Sequence, residues 1–309
     1  MCTAISKGNL FGRNLDLDYS IDGKVIFIPR NHPFTFLHLD KTNNHYAILG
    51  IGLLVDDYPL YFDAFNECGL AGAGLNFPDN AKFNQVQENK NNLSPYELLP
   101  YVLSHFKNVD EVETFLKTAN LIDVPFSKDL PLAPLHYIFA DKNRSIVLEQ
   151  DKDGLHVYDN PVNVLTNNPI FPIHLNNVKQ LSKISNEYFN DYVKSLNIIP
   201  DSVGFGSFGL PGDYSSRSRF LKAAYLTKYV NLPDDEEKKI IVFIDMLKSL
   251  SFFRGVALSK RDEQERTIYS SCMNLNNLSY SYRLEYSNSL RSVEMNPSLD
   301  NIATWDLIE

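Results

Sequence analysis

Two short runs limit what this chain can fold into. YAILGIGLLV (46–55) and AGAGLNF (71–77) are apolar almost throughout, too short to span a bilayer as helices and too evenly hydrophobic for strands with one wet face. They suit a sheet covered on both sides, so other layers must pack against each of its faces. The remaining chain supplies candidates for those layers. Residues 3–6 and 24–29 (KVIFIP) read as strands, with turn residues Gly8, Asn9, Gly12, Asp22 and Gly23 between them. Ser94-Pro95-Tyr96-Glu97 sets a capping serine and a first-turn proline ahead of a helix to about Phe106; Asp110 with Glu113 repeats the signature, with Val112, Phe115 and Leu116 on one face. LHYIFAD (135–141), SIVLEQ (145–150), LHVYD (155–159) and NVLT (163–166) read as a meander of short strands. Residues 174–196, 215–229 and 235–250 are helix-compatible, and TIYSSCMNL (267–275) and LSYSYRLEY (278–286) flank Asn276-Asn277 as a hairpin. The pattern predicts an α+β fold in which antiparallel sheets carry helices outside, as a single domain over residues 1–309 with no repeat or long linker.

Charge and composition exclude several function classes. With a net charge of −9 and no basic cluster, the chain offers nothing for a nucleic acid or an anionic membrane to dock on. The stretch up to Arg13 holds no apolar signal core, and no later run is long enough to span a membrane, so a cytoplasmic protein is expected. The three cysteines, Cys2, Cys68 and Cys272, do not suggest a disulfide framework. The seven histidines include no HExxH or comparable pair, so neither a metal nor a cofactor is expected. A GxSxG elbow and a P-loop are absent, and Gly72 and Gly74 are better explained by close strand packing than by dinucleotide binding.

One chemical possibility remains, at the N-terminus. Methionine aminopeptidases remove an initiator Met before a small residue, which would leave Cys2 carrying both a thiol and a free α-amine. A reference thiol titrates at about 8.5 and an α-amine at about 8, so near neutral pH the amine is partly free to take the thiol proton. Polar residues that punctuate apolar strands could complete such a site: Arg13 and Asp16 in FGRNLDLD, Asn76 in AGLNFP, Asn167 after NVLT, and Arg219 on a predicted helix. Taken singly, each has an ordinary structural explanation as an ion pair, a turn former or a solvated helix residue. Taken jointly, a cation beside the sulfur favours thiolate, a carboxylate orients the amine, and amide groups hold an oxyanion.

The chain resembles the choloylglycine hydrolase family, the bile salt hydrolases and penicillin V acylases. The resemblance rests on MCTAI (1–5), FGRNLDLD (11–18), DYPLYFDAFNECGL (57–70), AGLNFP (73–78), DNPVNVLTNNP (159–169), FGLPGDYSSRSRF (208–220) and YSSCMNL (269–275), in one consistent order over nearly the whole chain. It implies a four-layer αββα sandwich of two mainly antiparallel sheets, Cys2 as nucleophile after Met1 removal, and Arg13 and Asp16 around the thiol and amine. It further implies an oxyanion hole from the Asn167 side-chain amide and the Asn76 backbone N–H, Arg219 in support, and a homotetramer. Asn76, where penicillin V acylases often carry Tyr, favours hydrolysis of the amide joining a bile acid to glycine or taurine. In similar proteins the steroid wall comes from the loop after Asp16 and loops near 57–62 and 124–135, which makes Leu15, Phe126 and Leu130 the substrate-binding candidates. A penicillin V or other N-acyl amidase is the alternative, and a non-catalytic ligand-binding descendant is the other. The chain departs from the family in a shorter hairpin between Cys2 and Arg13 and in a poorly matched segment after Met295. Ser202-Val203-Gly204 matches neither usual conjugate-preference pattern, so glycine and taurine are not separated.

Overall fold

The computed structural model describes residues 1–188, 195–199 and 202–307. One sheet has the spatial order β12 (Val164–Leu165), β1 (Cys2–Lys7), β2 (Leu10–Leu17), β13 (Arg266–Asn274), β14 (Ser279–Leu284) and β15 (Arg291–Glu294). The other runs β11 (Gly154–Asp159), β10 (Ser145–Asp151), β9 (Leu135–Ala140), β6 (Ala71–Asn76), β5 (Tyr58–Asn66), β4 (Ile48–Val55), β3 (Lys24–Ile28) and β16 (Ala303–Asp306). Neighbours in both sheets are antiparallel.

Strand periodicity explains how the layers stack. Side chains alternate between faces, and along β3 Val25 and Phe27 join the core shared with the first sheet while Ile26 and Ile28 join a second core. That second core is closed by α1 (Pro95–His105) and α2 (Val109–Leu116), through Leu98, Val102 and Val112. Behind the first sheet lie α3 (Phe171–Asn177), α4 (Ser216–Tyr229) and α5 (Glu236–Lys248), which contribute Phe171, Phe220 and Phe243. The result is a four-layer αββα sandwich, and the evenly apolar 46–55 and 71–77 segments sit inside it as β4 and β6. At Gly72 a Cβ would come within 2.9 Å of Leu99 on α1 and 2.8 Å of Phe139, so the AGAG glycines serve close packing.

Several local expectations are corrected. Gly12 is in the middle of β2, not in a turn: a Cβ there would meet the Ser271 carbonyl oxygen at 2.0 Å, so a side chain is excluded by the neighbouring strand β13. Of the expected 57–62 loop, residues 58–62 are strand, and the turn before them is Asp56-Asp57, both at positive φ (49° and 61°). At α1 Ser94 is the N-cap as expected, its N–H donating to the Glu97 carboxylate at 2.8 Å, and its hydroxyl donates to the Val124 carbonyl (2.6 Å). The second helix is capped two residues earlier than expected, by Asn108, whose side chain accepts from Glu111 N–H. From the 174–196 segment the structure makes α3 and a 3-10 stretch, Val178–Lys183, and residues 189–194 of that expectation lie outside those described. The parallel pair β7 (Asn91–Leu93) and β8 (Ala119–Leu121) and the edge strands β15 and β16 carry too few apolar residues to stand out in the sequence.

Candidate active site

The β1–β2 hairpin organises the site. Its connection is only Gly8-Asn9, with Gly8 at φ 61°, and the register sets Cys2 opposite Leu15 and Ala4 opposite Arg13. Alternation along β2 sends Arg13, Leu15 and Leu17 into the space between the sheets, where they line a cleft of about 450 Å³ with Cys2. Gly12, Asn14 and Asp16 take the helix-facing side; Asn14 donates from Nδ2 to the Leu247 carbonyl of α5 (2.8 Å).

Arg13 is fully buried, and each of its guanidinium nitrogens is engaged. Nη1 donates to the Phe62 and Gly74 carbonyls (3.0 and 2.6 Å), Nε to the Asn14 carbonyl (3.3 Å), and Nη2 to Cys2 Sγ at 2.6 Å. Burial works against its charge, yet Cys2, Tyr269, Asp63 and Asp16 together push its pKa above the ordinary arginine value. A permanent cation therefore sits against the sulfur, the arrangement that favours a sulfur anion.

The other side of Cys2 is handled from the helix layer. Arg219 on α4 donates from Nη1 to the Cys2 carbonyl (2.6 Å) and Thr3 Oγ1 (2.5 Å) and from Nη2 to Asn167 Oδ1 (2.9 Å). Its guanidinium also lies 5.1 Å from the centre of the Phe252 ring. Burial lowers its pKa, opposed by Asp16, Cys2 and Glu265. Asp16 is buried and accepts from Thr267 Oγ1 at 2.6 Å, and among the described residues its Oδ2 has no partner. Burial pushes its carboxyl pKa up, against the N-terminal charge, Arg219, the Thr267 hydrogen bond and Arg13. A buried carboxylate oxygen without a donor is costly.

Met1 is in place here, so the Cys2 nitrogen is a peptide nitrogen and donates to Asn167 Oδ1 (2.7 Å). The Met1 ammonium donates to the Asp16 carbonyl (2.7 Å) and to the Glu265 carboxylate, and Asp16 N–H donates to the Met1 carbonyl (3.0 Å). Asn167 Nδ2 donates to the Asn76 carbonyl at 2.8 Å, which ties together the two residues named for an oxyanion hole. Five of the six polar candidates, Cys2, Arg13, Asn76, Asn167 and Arg219, are thus joined by hydrogen bonds, Asp16 is linked to them through the charges of Arg219 and Arg13, and Leu15, Phe126 and Leu130 all line the cleft above. Strand β5 contributes the wall expected of a 57–62 loop, through Leu60, Tyr61 and Phe62.

Sequence reasoning missed Thr267 and Glu265, which touch Asp16 and Met1 from β13 and the residue before it. It also missed Ser216, whose Oγ accepts from Asn167 N–H at 2.9 Å. None has a spacing signal, because each reaches the site only through sheet or helix packing. Among the described residues, no group of three or more His, Cys, Asp or Glu side chains is gathered as a metal would need.

The model of linear amide C-N hydrolases, choloylglycine hydrolase family, matches residues 2–305. The chain belongs to the choloylglycine hydrolase family. Among its relatives, a protein of Lactiplantibacillus plantarum named bile salt hydrolase/transferase is 41% identical, aligning over 100% of this chain and 96% of its own. One of the same name from Clostridium perfringens is 36% identical over 96% of this chain and 93% of its own. A crystal structure of a mutant conjugated bile acid hydrolase from Clostridium perfringens superposes with a TM-score of 0.88 at 33% identity, covering 100% of this chain and 97% of that one. Penicillin V acylase from Agrobacterium tumefaciens shares the fold, with a TM-score of 0.78 at 16% identity over 99% of this chain and 92% of that one. Like its family, the chain is an enzyme that hydrolyses linear amides.

Proposed function

We propose that this enzyme cleaves the amide between a bile acid and glycine or taurine, with Cys2 as nucleophile. The observation that carries the reading is the placement of Cys2 Sγ, 2.6 Å from Arg13 Nη2, on the wall of a mostly apolar cleft of about 450 Å³. A steroid needs such a wall with few polar groups, and Leu15, Phe126 and Leu130 supply part of it. The names of the relatives point to the same substrate.

The chemistry follows from the groups around Cys2. With Met1 removed, the α-amine takes the thiol proton, directly or through a water, and the orphaned Asp16 oxygen orients the resulting ammonium. The sulfur attacks the amide carbon, and the negative charge that develops on the carbonyl oxygen is stabilised by the second N–H of the Asn167 amide and by the Asn76 backbone N–H. Collapse breaks the C–N bond, the α-ammonium protonates the departing amine, and a thioester links the acyl group to Cys2. Water, deprotonated by the same amine, then cleaves the thioester and restores the thiol. Arg219 keeps the Cys2 carbonyl and Asn167 in place throughout. A cytoplasmic homotetramer, supported by the family resemblance, completes the reading; light scattering of the purified enzyme tests the assembly.

The decisive experiment incubates purified enzyme with glycocholate, taurocholate and penicillin V and quantifies the product of each. Release of glycine or taurine is expected, lost in Cys2→Ala with the fold retained and severely impaired in Cys2→Ser, whose hydroxyl is far less acidic than a thiol. Turnover of penicillin V alone would replace the bile salt reading by that of an acylase. Near-normal hydrolysis by Cys2→Ala would remove the mechanism.

A further inference from the structure

A buried acid–imidazole pair that takes no part in the proposed chemistry sits directly beneath the two oxyanion residues. His136 on β9 and Glu149 on β10 are both completely buried, with His136 Nδ1 3.0 Å from Glu149 Oε1. The other ring nitrogen, Nε2, lies 2.8 Å from the Thr166 carbonyl. A carbonyl can only accept, so Nε2 carries a hydrogen and donates it, and one further proton is shared between Nδ1 and the carboxylate. Glu149 is itself pinned, because both its oxygens accept from Phe171 N–H at 3.0 Å. The face of the imidazole is also used: it stacks on Phe77 with ring centres 4.3 Å apart and planes 6° from parallel.

The two things His136 grips are the chain neighbours of the oxyanion pair. Phe77 follows Asn76, and Thr166 precedes Asn167. Asn76 ends β6 of one sheet, whereas Asn167 follows β12 of the other, so their spacing is set across the gap, by the direct bond from Asn167 Nδ2 to the Asn76 carbonyl (2.8 Å) and by whatever holds the two segments beneath it. We infer that the His136–Glu149 pair is a positioning device that fixes the spacing of the two oxyanion donors across the gap between the sheets, and so acts on the transition state without touching substrate. This rests on the reading of Asn76 and Asn167 given above. Two features of the pair exceed what stability alone requires. Burying an ion pair is seldom the most stable way to fill a core, and an imidazole whose two nitrogens and one face are all committed has a single orientation available to it.

The requirement for such a device is geometric. An oxyanion donor must lie within about 3 Å of where the charge develops, and a displacement of about 1 Å can cost on the order of 10²-fold in rate. Replacing His136 by a residue that neither donates nor stacks should leave substrate binding in the cleft intact and weaken only the interaction made in the transition state. That is a kcat effect.

The test uses the mature full chain with a conjugated bile salt. His136→Leu is expected to lower kcat by about 10- to 100-fold with KM within about twofold of wild type, and Glu149→Gln, which preserves hydrogen bonds to both His136 and Phe171 N–H, is expected to lose at least about fivefold less. Because His136→Leu strands the Glu149 carboxylate, the double variant His136→Leu/Glu149→Leu is made beside it and carries the measurement should the single variant not fold. The second readout is the rate at which iodoacetamide alkylates Cys2, a reaction that needs the thiol but no oxyanion hole, and this should stay at the wild-type rate in every variant. A lowered melting temperature with unchanged kcat overturns the inference by making the pair purely structural. So does a change confined to KM, and so does alkylation that slows in parallel with kcat, which would signal general disturbance of the site. If alkylated wild type remains active, the nucleophile reading itself fails and takes the inference with it; if alkylation silences wild type and the His136 variants turn over normally, only the inference fails.

Discussion

At the scale of single residues, Asn167 bears more than the sequence implied. Its oxygen accepts from Cys2 N–H and Arg219, and its nitrogen donates to the Asn76 carbonyl, leaving one N–H for the oxyanion. Asn167→Ala should lower kcat by about 10²–10³, or roughly 2.7–4 kcal/mol, with little change in KM; steady-state kinetics would reveal a pure KM effect if the residue binds ground and transition states alike. His174 offers a different test, because it holds the same segment from below, with Nε2 2.9 Å from the Asn167 carbonyl. Burial pushes its pKa down to about 4, whereas in an unfolded chain a histidine titrates near 6.5. Between those values the unfolded chain binds a proton that the folded one refuses, so the stability from this group is complete above about pH 6.5 and lost as pH falls toward 4. The gap corresponds to about 3 kcal/mol. Denaturant unfolding at pH 7 and pH 4.5 should show a smaller loss for His174→Gln than for wild type; equal losses would mean that some other group is responsible.

At the scale of elements, strand β2 divides the work around Cys2 between its two faces. Arg13 and Asp16 are three residues apart, an odd spacing that sends them to opposite sides of a strand: Arg13 meets the sulfur in the cleft, while Asp16 takes the helix side, from which the α4 residue Arg219 reaches the Cys2 carbonyl. The sequence reading recognised both residues but treated the glycine between Phe11 and Arg13 as a turn former. The structure needs that glycine because β2 and β13 approach too closely there for any side chain. Gly12→Ala should therefore destabilise the protein by at least about 3 kcal/mol, the upper end of ordinary overpacking, and weaken activity through displacement of Arg13. A denaturation midpoint matching wild type would show that β13 can move aside. Helix α1 shows the same limit of sequence reading: Glu97 at the third helical position was correctly placed, but the partner of the Ser94 hydroxyl is Val124, a residue 30 positions on, which no local rule could supply.

At the scale of the whole molecule, the site is a junction of both sheets and the outer helices, and the proposed mechanism adds to it the α-amine of Cys2. With Met1 attached, the Cys2 nitrogen is an amide without useful basicity, and the Met1 ammonium is held by Glu265 and the Asp16 carbonyl. Enzyme that keeps Met1, or carries an uncleavable N-terminal tag, should be folded and inactive, whereas a tag after Glu309 should be tolerated. Intact-mass measurement should find Met1 absent from the active fraction, and full activity with Met1 still attached would require a base other than the α-amine. The apolar runs at 46–55 and 71–77 determined by themselves that a covered sheet must exist, because burial on both faces leaves an unbroken hydrophobic stretch. The motifs around Cys2, Arg13, Asp16, Asn76, Asn167 and Arg219 likewise marked the polar groups, because charged and amide side chains set in apolar strands need partners. Only the tertiary structure decided which partners they take. Thr267, Glu265, Ser216 and His136 reach the site through strand register, helix packing and the stacking of two sheets, and contacts made across 30 to 264 residues leave no periodicity or spacing behind in the sequence.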